Sequence, residues 1–204
     1  MTRLGTLFPL PGLRRVSQNT TLPRTVLVLN TGRCGSTTLA RACGHLTSHT
    51  AGHETRSELT GPERLAYPEN HVECDNRLSW FLGRLETEWG DRAAYVHLTR
   101  DPEAVAWSFV RRKNPGILHA YHAGILLGAA WKRPDQPKIE IARDYVATVT
   151  ANITAFLARR AHVMPLRLEN LDEEFPRFLD WIGATGDFGA ACAEIRTRHN
   201  ASEA

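Results

Sequence analysis

Thr-Val-Leu-Val-Leu-Asn-Thr-Gly-Arg-Cys-Gly-Ser-Thr-Thr-Leu, residues 25–39, decides how this chain is read. A short apolar, β-branched run, Val26 to Leu29, predicts a strand over Thr25–Asn30. It breaks into a loop containing Gly32 and Gly35. Three hydroxyl residues, Ser36, Thr37 and Thr38, then open a helical pattern that runs to Leu46. Strand, glycine-containing loop and helix N-terminus together form an anion cradle. Backbone N–H groups point into the loop, the helix dipole adds partial positive charge, and the hydroxyls supply further donors. Arg33 adds a cation that does not deprotonate. The segment is suited to a phosphate-like group.

The loop departs from the ATP/GTP pattern G-x-x-x-x-G-K-[ST], whose Lys reaches the outer phosphates. With Gly35 as the second glycine, Asn30 stands at the first and Ser36 replaces the Lys. A Walker-type NTPase is therefore disfavoured. Arg33-Cys34-Gly35-Ser36-Thr37-Thr38 instead resembles the 5′-phosphosulfate loop of the sulfotransferase family, a cation followed by small-Gly-Ser/Thr-Thr.

A second segment, residues 94–112, points the same way. Tyr95 to Thr99 reads as a buried strand, Asp101 as an N-cap and Pro102 as a first helical residue. Ser108 shares a helix face with Val105 and Phe109, so its hydroxyl sits on an apolar stripe and needs a partner. Arg100, at the end of the strand, stands where open α/β sheets place ligands. Taken alone, Arg-Asp-Pro is a well-capped helix start. Beside the first loop, it resembles the family's strand-Arg-Asp-Pro-helix-Ser unit. That resemblance implies that Arg100 and Ser108 hold the 3′-phosphate of 3′-phosphoadenosine 5′-phosphosulfate. A third segment, Met164 to Leu171 followed by Phe178 to Gly183, resembles the family's strand, Glu-Asp/Asn-Leu turn and following helix. Recognisable segments thus span most of residues 25–183, whereas 113–160 matches no family motif.

The resemblance implies an enzyme using 3′-phosphoadenosine 5′-phosphosulfate as co-substrate without a metal. The expected cofactor-binding residues are Arg33, Cys34, Gly35, Ser36, Thr37, Thr38, Arg100 and Ser108. Some members, notably those acting on carbohydrates, place a Glu base shortly after the first helix, and others use a His. Here His53-Glu54 occupies the first of those places. Glu54 is the first choice for the base and His53 the second, with Arg33 stabilising charge on the departing phosphate. The plainer reading of both is ordinary loop residues. Glu73 and Asp75 form a further carboxylate pair, Asp75 reading as an N-cap, and His97 reads as a core histidine. The acceptor, a small molecule or a carbohydrate, is not specified by these residues. A small-molecule kinase with a divergent loop and a non-catalytic nucleotide-binding protein are the rival readings.

Global properties frame this. The chain has 204 residues and a formal net charge of +3, with pI near 8.8 and no basic run. A nucleic-acid partner is not implied. Four scattered cysteines, Cys34, Cys43, Cys74 and Cys192, lack C-x-x-C spacing and fit a reducing cytoplasm better than a metal site or secretion. Residues 1–20 read as an arm whose apolar stretch, broken by Pro9, Pro11 and Gly12, suits neither a signal peptide nor a membrane span. The arm has the length to reach a partner subunit, so a homodimer stays open. Residues 21–204 read as one α/β domain, a three-layer P-loop-like fold with a parallel sheet between helices. Its expected elements are strands over 25–30, 95–99 and 163–168. Helices are expected over 36–46, 76–89, 102–112, 117–131, 139–160 and 175–182, with 51–69 mostly loop. Trp80, Phe81 and Trp89 read as core. Arg111-Arg112-Lys113 reads as a helix C-terminus with cations opposing the dipole, in preference to an extra 3′-phosphate contact.

Overall fold

The computed structural model describes residues 22–112, 116–128 and 136–197. The 1–20 arm and the end of the expected 117–131 helix lie outside them. Five parallel strands form one sheet in the order β2-β3-β1-β4-β5. They are β1 (Val26–Leu29), β2 (Thr50–His53), β3 (His71–Cys74), β4 (Ala94–Thr99) and β5 (Val163–Arg167). Helices α1 (Ser36–Cys43), α2 (Leu82–Glu88), α3 (Pro102–Val110), α4 (Ile117–Ala120), α5 (Lys138–Leu157), α6 (Leu171–Trp181) and α7 (Phe188–Ile195) flank it. The chain leaves β1 toward one edge of the sheet and leaves β3 and β4 toward the other. With right-handed crossovers, the connections from β1 and β4 therefore lie on opposite faces. α1 packs against α7, and α7 against α6, while α3 packs against α5. This is a parallel, helix-flanked α/β sheet.

The central strands are buried on both faces. Val26, Leu27, Val28, Leu29, Tyr95 and Val96 are fully inaccessible, as continuous apolar runs in a covered parallel sheet require. Val28 stands opposite Cys74 on one side and Val96 on the other, and His53 stands opposite Cys74. β2 and β3 end at this level and β1 one residue later, whereas β4 and β5 run three residues further, to the facing pair Thr99 and Arg167. Because all five strands are parallel, the loops after them open on one edge.

Two strands escape the sequence reading, β2 and β3, in the region expected as loop or left unassigned. Both are four residues long, and Thr50-Ala51-Gly52-His53 and His71-Val72-Glu73-Cys74 carry polar side chains where an apolar run would signal a strand. Those side chains satisfy one another. The Thr50 hydroxyl lies 2.8 Å from His71 Nδ1, and His71 Nε2 lies 2.9 Å from Glu73 Oε2. The expected helix over 76–89 divides into a 3₁₀ segment, Asn76–Trp80, and α2, with Phe81 between them. Trp80 is 37% exposed and stacks on Tyr145 rather than entering the core. His97 is partly buried, and burial pushes its imidazole below the usual histidine value.

Asp75 fulfils its expected capping role, accepting from the Arg77 N–H at 2.8 Å. It also receives Arg64 Nη2 at 2.5 Å, with both side chains out of solvent. Removing one member of such a pair strands the other charge. Asp75→Ala should lower the urea unfolding free energy by roughly 3–5 kcal/mol. The double variant Arg64→Met/Asp75→Leu should recover most of that loss.

Candidate anion-binding cleft at the sheet's C-terminal edge

The loop after β1 is held from within. Asn30 Oδ1 accepts from the Gly32 N–H at 2.8 Å, and the Cys34 thiol donates to the Gly32 carbonyl at 3.3 Å. From across the fold, the Tyr145 hydroxyl of α5 donates to the Thr31 carbonyl at 2.9 Å. Three of the loop's residues, Gly32, Arg33 and Gly35, have left-handed backbones with φ of 84°, 61° and 87°. Arg33 pays the steric penalty that glycine avoids, which is a signature of a segment fixed by its surroundings. A Cβ on Gly35 would come within 2.5 Å of Leu168 Cδ1, so the loop lies flush against the turn after β5. α1 then begins at Ser36 with no side-chain cap at Gly35. An uncapped helix start beside a left-handed loop concentrates N–H dipoles on one spot.

The second anticipated segment meets the first. Asp101 caps α3 by accepting from the Ala104 N–H at 2.8 Å. Ser108, 3% exposed, faces inward, and its hydroxyl accepts from Arg33 Nε at 2.9 Å. Arg100 Nη1 donates to the Arg33 carbonyl at 3.2 Å. Burial, followed by repulsion from Arg112, Arg100 and Arg111, lowers the Arg33 guanidinium below its ordinary value. Four cations are gathered around one point.

The third wall comes from β2. His53 Nε2 lies 3.1 Å from the Ser36 hydroxyl and 3.3 Å from that of Thr37. Glu54 has a left-handed backbone, φ 56°, and its Oε2 lies 2.5 Å from Arg77 Nη1. Glu73 sets this corner from below. Its carboxylate accepts from the Thr55 N–H at 2.8 Å and from the Thr55 hydroxyl at 2.6 Å, clamping the chain just past Glu54. Glu73 and Asp75 thus support the site rather than line it.

The result is a cleft of about 860 Å³. Of the anticipated residues, Arg33, Gly35, Ser36, Thr37, Thr38, Arg100, Ser108, His53 and Glu54 line it together. Cys34 does not. It is 2% exposed, its thiol turned under the loop, and burial pushes that thiol up. Arg111 and Arg112 also line the cleft, although sequence reasoning preferred the helix dipole to a phosphate contact for them. Following the helix face onward from Ser108 by three and four residues would have placed them there. Sequence reasoning missed Asn76, Arg77 and Arg196, which arrive through contacts between distant segments. α7 begins beside the C-terminal end of α1, where Thr47 N–H donates to the Thr185 carbonyl, and packs along α1. Its end therefore brings Arg196 back to the cradle.

The lining is strongly cationic, with six arginines against three carboxylates, Glu54, Glu169 and Asp172. By position, this is the crevice between β1 and β4, whose connections leave on opposite faces, where open α/β sheets bind ligands. Chemically, it offers two adjoining places for oxyanions and a carboxylate beside them.

Burial pushes the Glu73 carboxyl up, but hydrogen bonds from His71 and Thr55 outweigh it and hold the pKa below the ordinary glutamate value. A group lowered on folding stabilises fully above its unfolded pKa of about 4.3, and that contribution fades as pH falls through the lower folded value. Acid unfolding followed by circular dichroism should show this loss below about pH 4.3. Glu73→Gln should lower stability at neutral pH and make the acid decline shallower.

Comparison of the chain with family models, with curated proteins and with solved structures gives no match, so the residues of the cleft carry the functional argument.

Proposed function

We propose that the protein is a sulfotransferase with a P-loop-like fold. In this reading it moves a sulfuryl group from 3′-phosphoadenosine 5′-phosphosulfate to a hydroxyl or amine acceptor. The observation that carries the reading is the meeting of two oxyanion-binding segments, joined by Arg33 Nε on Ser108 Oγ at 2.9 Å and Arg100 Nη1 on the Arg33 carbonyl at 3.2 Å. An ATP-type loop serves one run of phosphates. Two adjoining anion places suit a nucleotide carrying both a 5′-phosphosulfate and a 3′-phosphate. In this assignment the 5′ group lies in the Gly32–Thr38 cradle and the 3′-phosphate lies at Arg100 and Ser108.

The acceptor oxygen attacks sulfur as the bond from sulfur to the phosphate oxygen breaks, and 3′-phosphoadenosine 5′-phosphate departs. Positioning and charge stabilisation supply most of the catalysis, as in phosphoryl transfer. Arg33 and the cradle N–H groups meet the charge that builds on the leaving phosphate. The acceptor proton passes to a base. Glu54 suits that role better than His53, because the two side chains face different groups. His53 Nε2 sits against the cradle hydroxyls of Ser36 and Thr37, on the donor side. With those hydroxyls donating to the bound anion, their lone pairs accept from a His53 Nε2–H. His53 then orients the cradle, and Glu54 receives the proton.

Thermal stabilisation tests the reading. At about 100-fold excess over the dissociation constant, 3′-phosphoadenosine 5′-phosphate should stabilise the protein by ~2.7 kcal/mol. Equal or greater stabilisation by ATP with magnesium would favour a kinase instead. Arg100→Ala should weaken binding of 3′-phosphoadenosine 5′-phosphate by ~1.5–3 kcal/mol while hardly changing any binding of ATP, which lacks the 3′-phosphate.

Glu54→Gln separates chemistry from binding. Turnover of a labelled phosphosulfate donor should fall by roughly 10²–10⁴-fold with donor affinity nearly intact. Normal turnover in this variant would move the proton transfer to His53. Arg33→Ala, by contrast, should reduce donor affinity and turnover together, since that cation meets the phosphosulfate in both ground and transition states.

A further inference from the structure

The proposed donor presents two anionic groups, and Arg33 with the cradle and Arg100 with Ser108 account for both. Two further cations line the same cleft without such an assignment. Arg111 and Arg112 follow Ser108 by three and four residues and so continue its face beyond the end of α3. Both are exposed, and among the described residues neither has a carboxylate partner. The other outlying arginines are matched, Arg77 by Glu54 at 2.5 Å and Arg196 by Asp172 at 3.6 Å. Of the three cations that repel Arg33, Arg112 acts most strongly, ahead of Arg100. Arg112 thus lines the cleft within reach of the Arg33 charge. Like charges set together at the mouth of a cleft repel one another until an anion enters, and arginine forks match carboxylate, phosphate and sulfate oxygens.

We infer that Arg111 and Arg112 form a third oxyanion subsite that receives an anionic group of the acceptor. The acceptor class is then a hydroxyl compound that already carries a sulfate, phosphate or carboxylate, such as an acidic sugar. Neutral alcohols lack the group these arginines would hold. This inference rests on the sulfotransferase reading for the word acceptor, although the subsite itself can be probed without it.

The probe is glucose 6-sulfate, with glucose as the uncharged control, titrated calorimetrically into protein saturated with 3′-phosphoadenosine 5′-phosphate. Glucose 6-sulfate should bind at least tenfold more tightly than glucose. The double variant Arg111→Ala/Arg112→Ala should erase that preference. It should weaken 3′-phosphoadenosine 5′-phosphate and adenosine 5′-phosphate alike, each by less than tenfold, because the positive charge it removes is not specific to the 3′-phosphate. Arg111→Lys/Arg112→Lys should retain part of the preference, which separates charge from folding. Equal binding of the two sugars to the wild-type protein would overturn the subsite. So would a tenfold loss of 3′-phosphoadenosine 5′-phosphate affinity in the alanine variant with adenosine 5′-phosphate unaffected, because the arginines would then read the 3′-phosphate. Should the wild-type protein fail to bind 3′-phosphoadenosine 5′-phosphate, the sulfotransferase reading falls. The same sugar titration on the free protein then decides the subsite, which stands if the preference is present and lost in the alanine variant, and falls otherwise.

Discussion

The cleft depends on a stretch of backbone that ordinary residues avoid. Gly32, Arg33 and Gly35 turn left-handed within four residues, and the turn places the start of α1 against the centre of the sheet edge. Such a conformation persists only where neighbours over-determine it. Here they do so from every side. Asn30 holds the loop from within, Tyr145 and Ser108 from the helices on one face, Leu168 from the turn after β5, and Arg100 from the end of β4. Gly32 and Gly35 are needed twice over, for their φ and because a Cβ would meet Asn76 or Leu168.

A fully parallel sheet turns this local device into a site. Since β2, β3, β1, β4 and β5 stop at one edge, each contributes a few residues to the same cleft, and the residues arrive already sorted by character. The connections from β1 and β4 bring cations and N–H groups. The ends of β2 and β3 bring an imidazole and an arginine-paired carboxylate. Glu73, on a strand that contributes no lining side chain of its own, fixes the backbone on which His53 and Glu54 sit. Support and chemistry are thus divided between adjacent residues of similar type, and composition alone does not separate them.

What was legible in the sequence follows from how far each signal reaches. The central strand β1 is apolar on both faces, so its burial shows as a run of Val and Leu, and β4 shows one in Ala94, Tyr95 and Val96. Asp101 and Asp75 cap within three residues, so their roles are local and readable. Both halves of the cradle were legible for the same reason. β2 and β3 were not, because polar residues satisfy one another across neighbouring strands and leave no apolar imprint. Arg77 and Arg196 entered the cleft through register and helix packing, which no short window contains. Cys34 illustrates the opposite limit. Its position in the loop was evident, but not that its side chain turns beneath it.

The hydrogen bond from Tyr145 to the Thr31 carbonyl bridges 114 residues of chain, and Arg33 reaches Ser108 across 75. Contacts of such separation close large loops, and their entropy is recovered only when much of the fold is in place. The α1 helix can form from nearby residues, whereas its preceding strand pairs with β3 and β4 and the left-handed turn between them is fixed by groups synthesised much later. Under the proposed function, donor binding therefore waits on the docking of α5, late in the maturation of this chain.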